Sequence, residues 1–160
     1  TGILLDNQMN NFAYQYGTPG VVDRSASEGN KFEPGKRPMS TMTPVIVFDK
    51  ENALKLISGS PGGALIPAAV LRLVTGVIDF NLNLGEATML PRIHKDWPYA
   101  YTRTERGMSA DTLKILKGYG HEIEKSKTMG STQSIMITQN GVEGFADLRR
   151  PNAGVSIQVD

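Results

Sequence analysis

The chain has 160 residues and is 39% hydrophobic, enough for the core of one ordinary domain. Its 17 basic and 16 acidic residues leave a net charge of +1, which gives no electrostatic footprint for nucleic acid or an anionic membrane surface. It has no cysteine, so disulfides and thiolate metal sites are excluded. Its two histidines, His94 and His121, lack ligand spacing, and neither a metal nor a cofactor is expected.

In chain order, Gly2 to Leu5 reads as a short apolar strand, and Asp6 to Asn11 as a polar loop leaving it. Residues 13–36, rich in Gly, Ser, Pro and charge, form a connection long enough to be either a lid over a site or a flexible surface loop. Pro44 to Asp49 and Leu54 to Gly59 are strands joined as a hairpin through Lys50-Glu51-Asn52.

The most apolar helix follows, from about Ala64 to Phe80, with Pro67 in its first turn. Apolar residues on nearly every face predict burial on most sides. Pro67, Arg72, Thr75 and Asp79 interrupt the apolar run, so no membrane span is expected. Asn83 and Glu86 form a capping-box pair for a short helix that stops before Pro91. Ser109 caps a third helix with a stripe at Leu113, Leu116 and Lys117, ended by Gly118-Tyr119-Gly120. Strands at 121–125, 132–138 and 142–147 close the chain, with Asn140-Gly141 as a hairpin signal. The pattern is α+β, with antiparallel sheets flanked by helices and no strict βαβ repeat.

One turn carries a chemical signal. Gly59-Ser60-Pro61-Gly62-Gly63 leaves an apolar strand and enters the apolar helix. Adjacent glycines leave backbone N–H groups uncovered, and the helix N-terminus adds positive potential, so the turn can hold an anion or a developing oxyanion. Glycines that merely allow tight packing would leave the same trace. His94 reads as a structural hydrogen-bonding residue, and Asp147 with Arg149 as a structural ion pair.

Three blocks, Gly2 to Phe12, Gly35 to Pro44 and Gly59 to Gly63, together with Glu86-Ala87, Pro91 to His94, Met129 to Ser134 and Asp147 to Arg149, stand in the order of the gamma-glutamyltransferase small subunit. On these blocks the chain resembles that family across almost its whole length. The resemblance implies part of a four-layer αββα sandwich, the fold of N-terminal nucleophile hydrolases. It also implies an autoprocessed, zymogen-type precursor whose large subunit is the partner, acting in glutathione metabolism in the periplasm or outside the cell.

By the same resemblance, Gly62 and Gly63 form the oxyanion hole, Ser40 and Thr41 bind the substrate α-carboxylate, and Gln8 helps hold its α-ammonium. Asn11 stands where the family usually has Asp, and offers a hydrogen bond without a charge. Cephalosporin acylases, which take glutaryl groups, are similar in being neutral here. Asp6 reads as a solvated turn residue. An N-terminal Thr can use its own amine as base, yet Thr1 matches a strand inside the small subunit. The resemblance therefore implies one truncated domain, 1–160, that lacks the nucleophile.

The function expected is cleavage of gamma-glutamyl amides through an acyl-enzyme, with transfer to water or an amine, by the intact protein and not by this chain alone. The alternatives are a glutaryl-type amidohydrolase, or a non-catalytic carboxylate-binding or assembly piece. The isolated chain is expected to self-associate.

Overall fold

The computed structural model describes residues 2, 8–13, 27–96 and 99–158. It divides into two compact units, Thr1–Ser40 and Thr41–Asp160. The expected strand from Gly2 to Leu5 and Asp6 lie outside the described residues, apart from Gly2, as does the stretch 14–26 of the candidate lid.

In the first unit a 3-10 turn, Gln8–Asn11, is followed by a second one at Glu28–Asn30, and Ala13 bridges Lys31. Asn30 ties these pieces together. It is 7% exposed, its Nδ2 donates to the Asn11 carbonyl at 2.6 Å, and its Oδ1 accepts from the Met39 N–H at 2.8 Å. Phe12, next to Asn11, and Phe32, two residues beyond Asn30, pack edge to face with ring centroids 5.2 Å apart.

The second unit is built on a four-stranded antiparallel sheet of β1 (Val45–Phe48), β2 (Leu54–Gly59), β6 (Gln133–Thr138) and β7 (Gly141–Ala146), in the spatial order β1-β2-β6-β7. Helices α1 (Ile66–Ile78) and α2 (Leu84–Met89) supply the other half of its core, in which Leu56, Leu73, Val77, Leu84 and Ala87 pack with Met136 and Phe145. Gly76 permits the α1–α2 approach, since a Cβ there would lie 3.0 Å from the Ala87 Cβ. The capping box is formed in full: Asn83 Oδ1 accepts from Glu86 N–H at 2.8 Å and Glu86 Oε2 from Asn83 N–H at 3.2 Å.

A smaller sheet joins β3 (Ile93–His94), β4 (Tyr101–Thr104) and β5 (Glu122–Lys125). The β4 and β5 strands pair in parallel, connected through α3 (Ala110–Gly118), whose cap is Ser109. This single βαβ crossover and the strands β3 and β4 go beyond the sequence reading, because two- and four-residue strands carry too few alternations to register.

Helix α1 differs from its expectation. It buries Ile66, Ala69, Val70, Leu73, Gly76 and Val77, while Leu71 is 63% exposed and Ile78 42%. One side meets the sheet and α2; the other faces outward. The sheet is equally one-sided. Its second face carries Ile46, Phe48, Ile57, Ile135, Ile137 and Val142, all exposed, with Ile46, Ile57 and Ile135 in one cross-strand row. No helix among the described residues is long and apolar enough to cross a membrane.

Candidate functional site

The glycine turn begins where β2 ends at Gly59. Gly62 has φ +144° and Gly63 φ +58°, values that side chains resist, and Gly62 opens a 3-10 turn, Gly63–Leu65, which runs straight into α1. Pro67 then sits in the first turn of α1, where its missing N–H loses nothing. Both glycines are exposed. Neither donates its N–H to any other described residue. The turn therefore presents two amides at the start of a helix, free for an incoming anionic oxygen.

The back of this turn is braced. Ser60 Oγ donates to the Pro61 carbonyl at 2.8 Å and accepts from the Ser131 N–H at 3.0 Å. Gly130, at φ +69°, presses behind it; a Cβ there would lie 2.7 Å from Ser60 Oγ and 3.2 Å from Pro61 O. A Cβ on Gly62 would in turn meet Gly130 Cα at 3.3 Å, whereas one on Gly63 would meet open space.

The bracing segment is fixed by four buried charges. Arg92 and Asp147 are 2% and 0% exposed and pair at 2.8 Å; Arg149 pairs with Glu105 at 2.7 Å and with Asp147 at 3.2 Å. Arg92 also donates to the Met129 carbonyl and to Thr132 Oγ1, Asp147 accepts from the Thr132 N–H at 2.8 Å, and Glu105 accepts from the Met129 N–H at 2.6 Å. Met129 to Thr132 is thus held at both ends by charge-assisted bonds.

Burial pushes both carboxyls up, but their partners outweigh it. For Glu105 the Arg149 guanidinium and the Met129 and Arg92 amides leave it below the usual range. For Asp147 the Arg149 amide, the Arg92 side chain and the Thr132 amide do the same. Burial lowers Arg92 despite Asp147, while Glu105 and Asp147 overcome burial and raise Arg149.

A cleft of about 670 Å³ opens beside Glu105 and Arg149, lined also by Arg106, Lys125 and Lys127. None of the sequence-predicted site residues lines it.

The gamma-glutamyltranspeptidase family model matches residues 1–157. The chain belongs to this family. It is 44% identical over 150 residues to a glutathione hydrolase proenzyme of Escherichia coli K12, a match covering 93% of this chain and 26% of that protein. A Helicobacter pylori gamma-glutamyltranspeptidase mutant superposes with a TM-score of 0.80 at 36% identity, over 93% of this chain and 82% of that one. The gamma-glutamyltranspeptidase of Pseudomonas nitroreducens, complexed with L-DON, gives 0.78 at 29% identity, over 98% and 83%. The chain spans about a quarter of the length of the curated relatives it matches. The neighbours, with the observed antiparallel four-stranded sheet, the smaller mixed sheet and the helices, establish the mixed α+β fold of the N-terminal nucleophile hydrolases.

The four residues expected to bind substrate fall in two places. Gln8 and Asn11 open and close the first 3-10 turn, where Gln8 is half-buried and Asn11 exposed. Ser40 ends the first unit, and the half-buried Thr41 begins the second. Asp147 and Arg149 form the ion pair expected of them. His94 is corrected: its Nε2 is buried without a hydrogen bond, 3.6 Å from Asp96. Its strand pairs with β4 opposite Arg103. Nothing in the local sequence marks Arg92, Glu105 or Ser60 as interacting residues. Arg92 and Asp147 are 55 positions apart, and only the fold reveals their pairing.

Proposed function

We propose that this chain is part of an enzyme that cleaves gamma-glutamyl amides through an acyl-enzyme and passes the acyl group to water or an amine. One observation carries the reading: the Gly62 and Gly63 amides are exposed and unengaged at a braced turn. Such preorganised donors stabilise a tetrahedral oxyanion without reorganising when the charge appears. The reading gives Ser40 and Thr41 the donor's α-carboxylate, and Gln8 and Asn11 its α-ammonium. The nucleophile is a Thr outside this sequence, so the isolated chain is inactive. No step requires a metal or cofactor.

The partner in this reading is a large subunit of the same precursor, in keeping with the relatives named proenzymes. The row of Ile46, Ile57 and Ile135 suits the second sheet of an αββα sandwich, and left bare it would drive the isolated chain to self-associate. The protein acts in the periplasm or outside the cell.

The complete gene product tests this directly. It should release aniline from gamma-glutamyl-anilide and carry a transient adduct of gamma-glutamyl mass; absence of both defeats the proposal. Preference for glutaryl-anilide would instead favour the acylase reading that the uncharged Asn11 supports.

A further inference from the structure

The oxyanion-hole reading of Gly62 leaves open what aims its N–H. We infer that Ser60 is a positioning residue, whose hydroxyl fixes the direction of the Gly62 amide through the carbonyl of Pro61. The inference rests on that oxyanion reading and adds the group that orients the donor.

The Pro61 C=O and the Gly62 N–H belong to one peptide plane, rigid and trans, so they point in opposite directions and turn together. Ser60 Oγ donates to that carbonyl at 2.8 Å. Holding the carbonyl on one side therefore holds the N–H on the other. A plane between Pro61 and a glycine at φ +144° has little steric restraint of its own, since glycine accepts torsions that a side chain would forbid. The hydroxyl supplies the missing restraint.

The hydroxyl is itself fixed. The Ser131 N–H donates to Ser60 Oγ at 3.0 Å, so a lone pair is occupied and the O–H is turned toward Pro61. Gly130 must lack a side chain for this, because a Cβ there would stand 2.7 Å from Ser60 Oγ. The neighbouring Met129 and Thr132 are anchored to Arg92, Glu105 and Asp147. Hydrogen bonds linked by short pieces of backbone thus lead from the buried charges through Ser131 and Ser60 to the Pro61–Gly62 peptide.

The test uses the complete processed enzyme, with gamma-glutamyl-anilide as donor, L-glutamate as ground-state ligand, and a boronate bearing the glutamate head group as tetrahedral mimic. Ser60→Ala should lower kcat and boronate affinity together, by roughly ten- to a hundredfold, with KM and glutamate affinity within about threefold. Ser60→Thr, which keeps the hydroxyl, should recover most of both. Equal weakening of boronate and glutamate would mark a merely structural role and overturn the inference. Gly63→Ala separates it from the reading beneath it. If Gly63→Ala weakens kcat and boronate binding while Ser60→Ala changes neither, Ser60 does not aim the amide. If both variants are silent, the oxyanion reading fails as well. Should Ser60→Ala not fold, Ser60→Cys, similar in size and weak in both bonds, carries the same comparison.

Discussion

The second unit holds two polar regions that treat their hydrogen-bonding groups in opposite ways. Around Arg92, Glu105, Asp147 and Arg149 the charged side chains are no more than 7% exposed and each is met by an opposite charge. At Gly62 and Gly63, both exposed residues, two amides donate to no other described residue, on a backbone that only glycine adopts readily. The contrast separates structure from chemistry. Saturated groups specify a conformation, whereas preorganised donors left unengaged are the kind that can meet an anionic oxygen, the role proposed for this turn. Met129 to Thr132 joins the two, bonded to the charges at its ends and pressed on the glycine turn at its middle.

The comparison breaks most visibly if the charges prove dispensable. Asp147→Asn leaves Arg92 buried without its counter-charge, and should cost about 3–5 kcal/mol in urea unfolding. A loss under about 1 kcal/mol would mean that the cluster does not specify the fold.

Acid should reach the same loss reversibly. Glu105 and Asp147 both titrate below their usual values in the folded state, so their stabilisation is complete above the ordinary carboxylate range, about pH 4. It disappears as pH falls through their lower folded values. Unfolding midpoints followed from pH 7 to pH 2 should fall steeply only below about pH 4. In Glu105→Gln, already destabilised, the acid-dependent part of the decline should shrink.

At the recognition end, the question is a charge that is missing. In the complete enzyme Asn11→Asp should move the kcat/KM preference toward gamma-glutamyl over glutaryl donors by about 1.5–3 kcal/mol, or roughly one to two orders of magnitude. A change below about threefold would assign ammonium binding to another group. The smallest effect expected is on the stability of Gly63→Ala. Its Cβ meets open space, so the cost is the positive φ alone, about 1 kcal/mol by thermal unfolding. A much larger loss would place the glycine among the structural groups.

Local chemistry was readable wherever one short segment decides the outcome. The Asn83–Glu86 capping box, the Ser109 cap, Pro67 at the start of α1 and the β2 strand through Gly59 all follow from neighbouring residues. The hairpin signal at Asn140-Gly141 was nearly right: Gly141, at φ +114°, already begins β7 opposite Thr138. The glycine turn is readable for the same reason, as a strand-to-helix connection. Three features were not. The parallel pairing of β4 with β5 is decided by the crossover through α3. The one-sided burial of α1 depends on what covers Leu71 and Ile78, which its own periodicity does not encode. The charge cluster, and the role of Ser60 toward Ser131, join residues dozens of positions apart, and no spacing rule connects them.

The most direct measurement of the central claim is kcat for Gly63→Ala in the complete processed enzyme with gamma-glutamyl-anilide. The added methyl group, standing in the open space at the turn, should obstruct the incoming oxygen and lower kcat by about a hundredfold while KM and glutamate affinity hold within about threefold. A kcat within threefold of the parent enzyme would contradict the account, since the open amides of the glycine turn would then have no part in the chemistry.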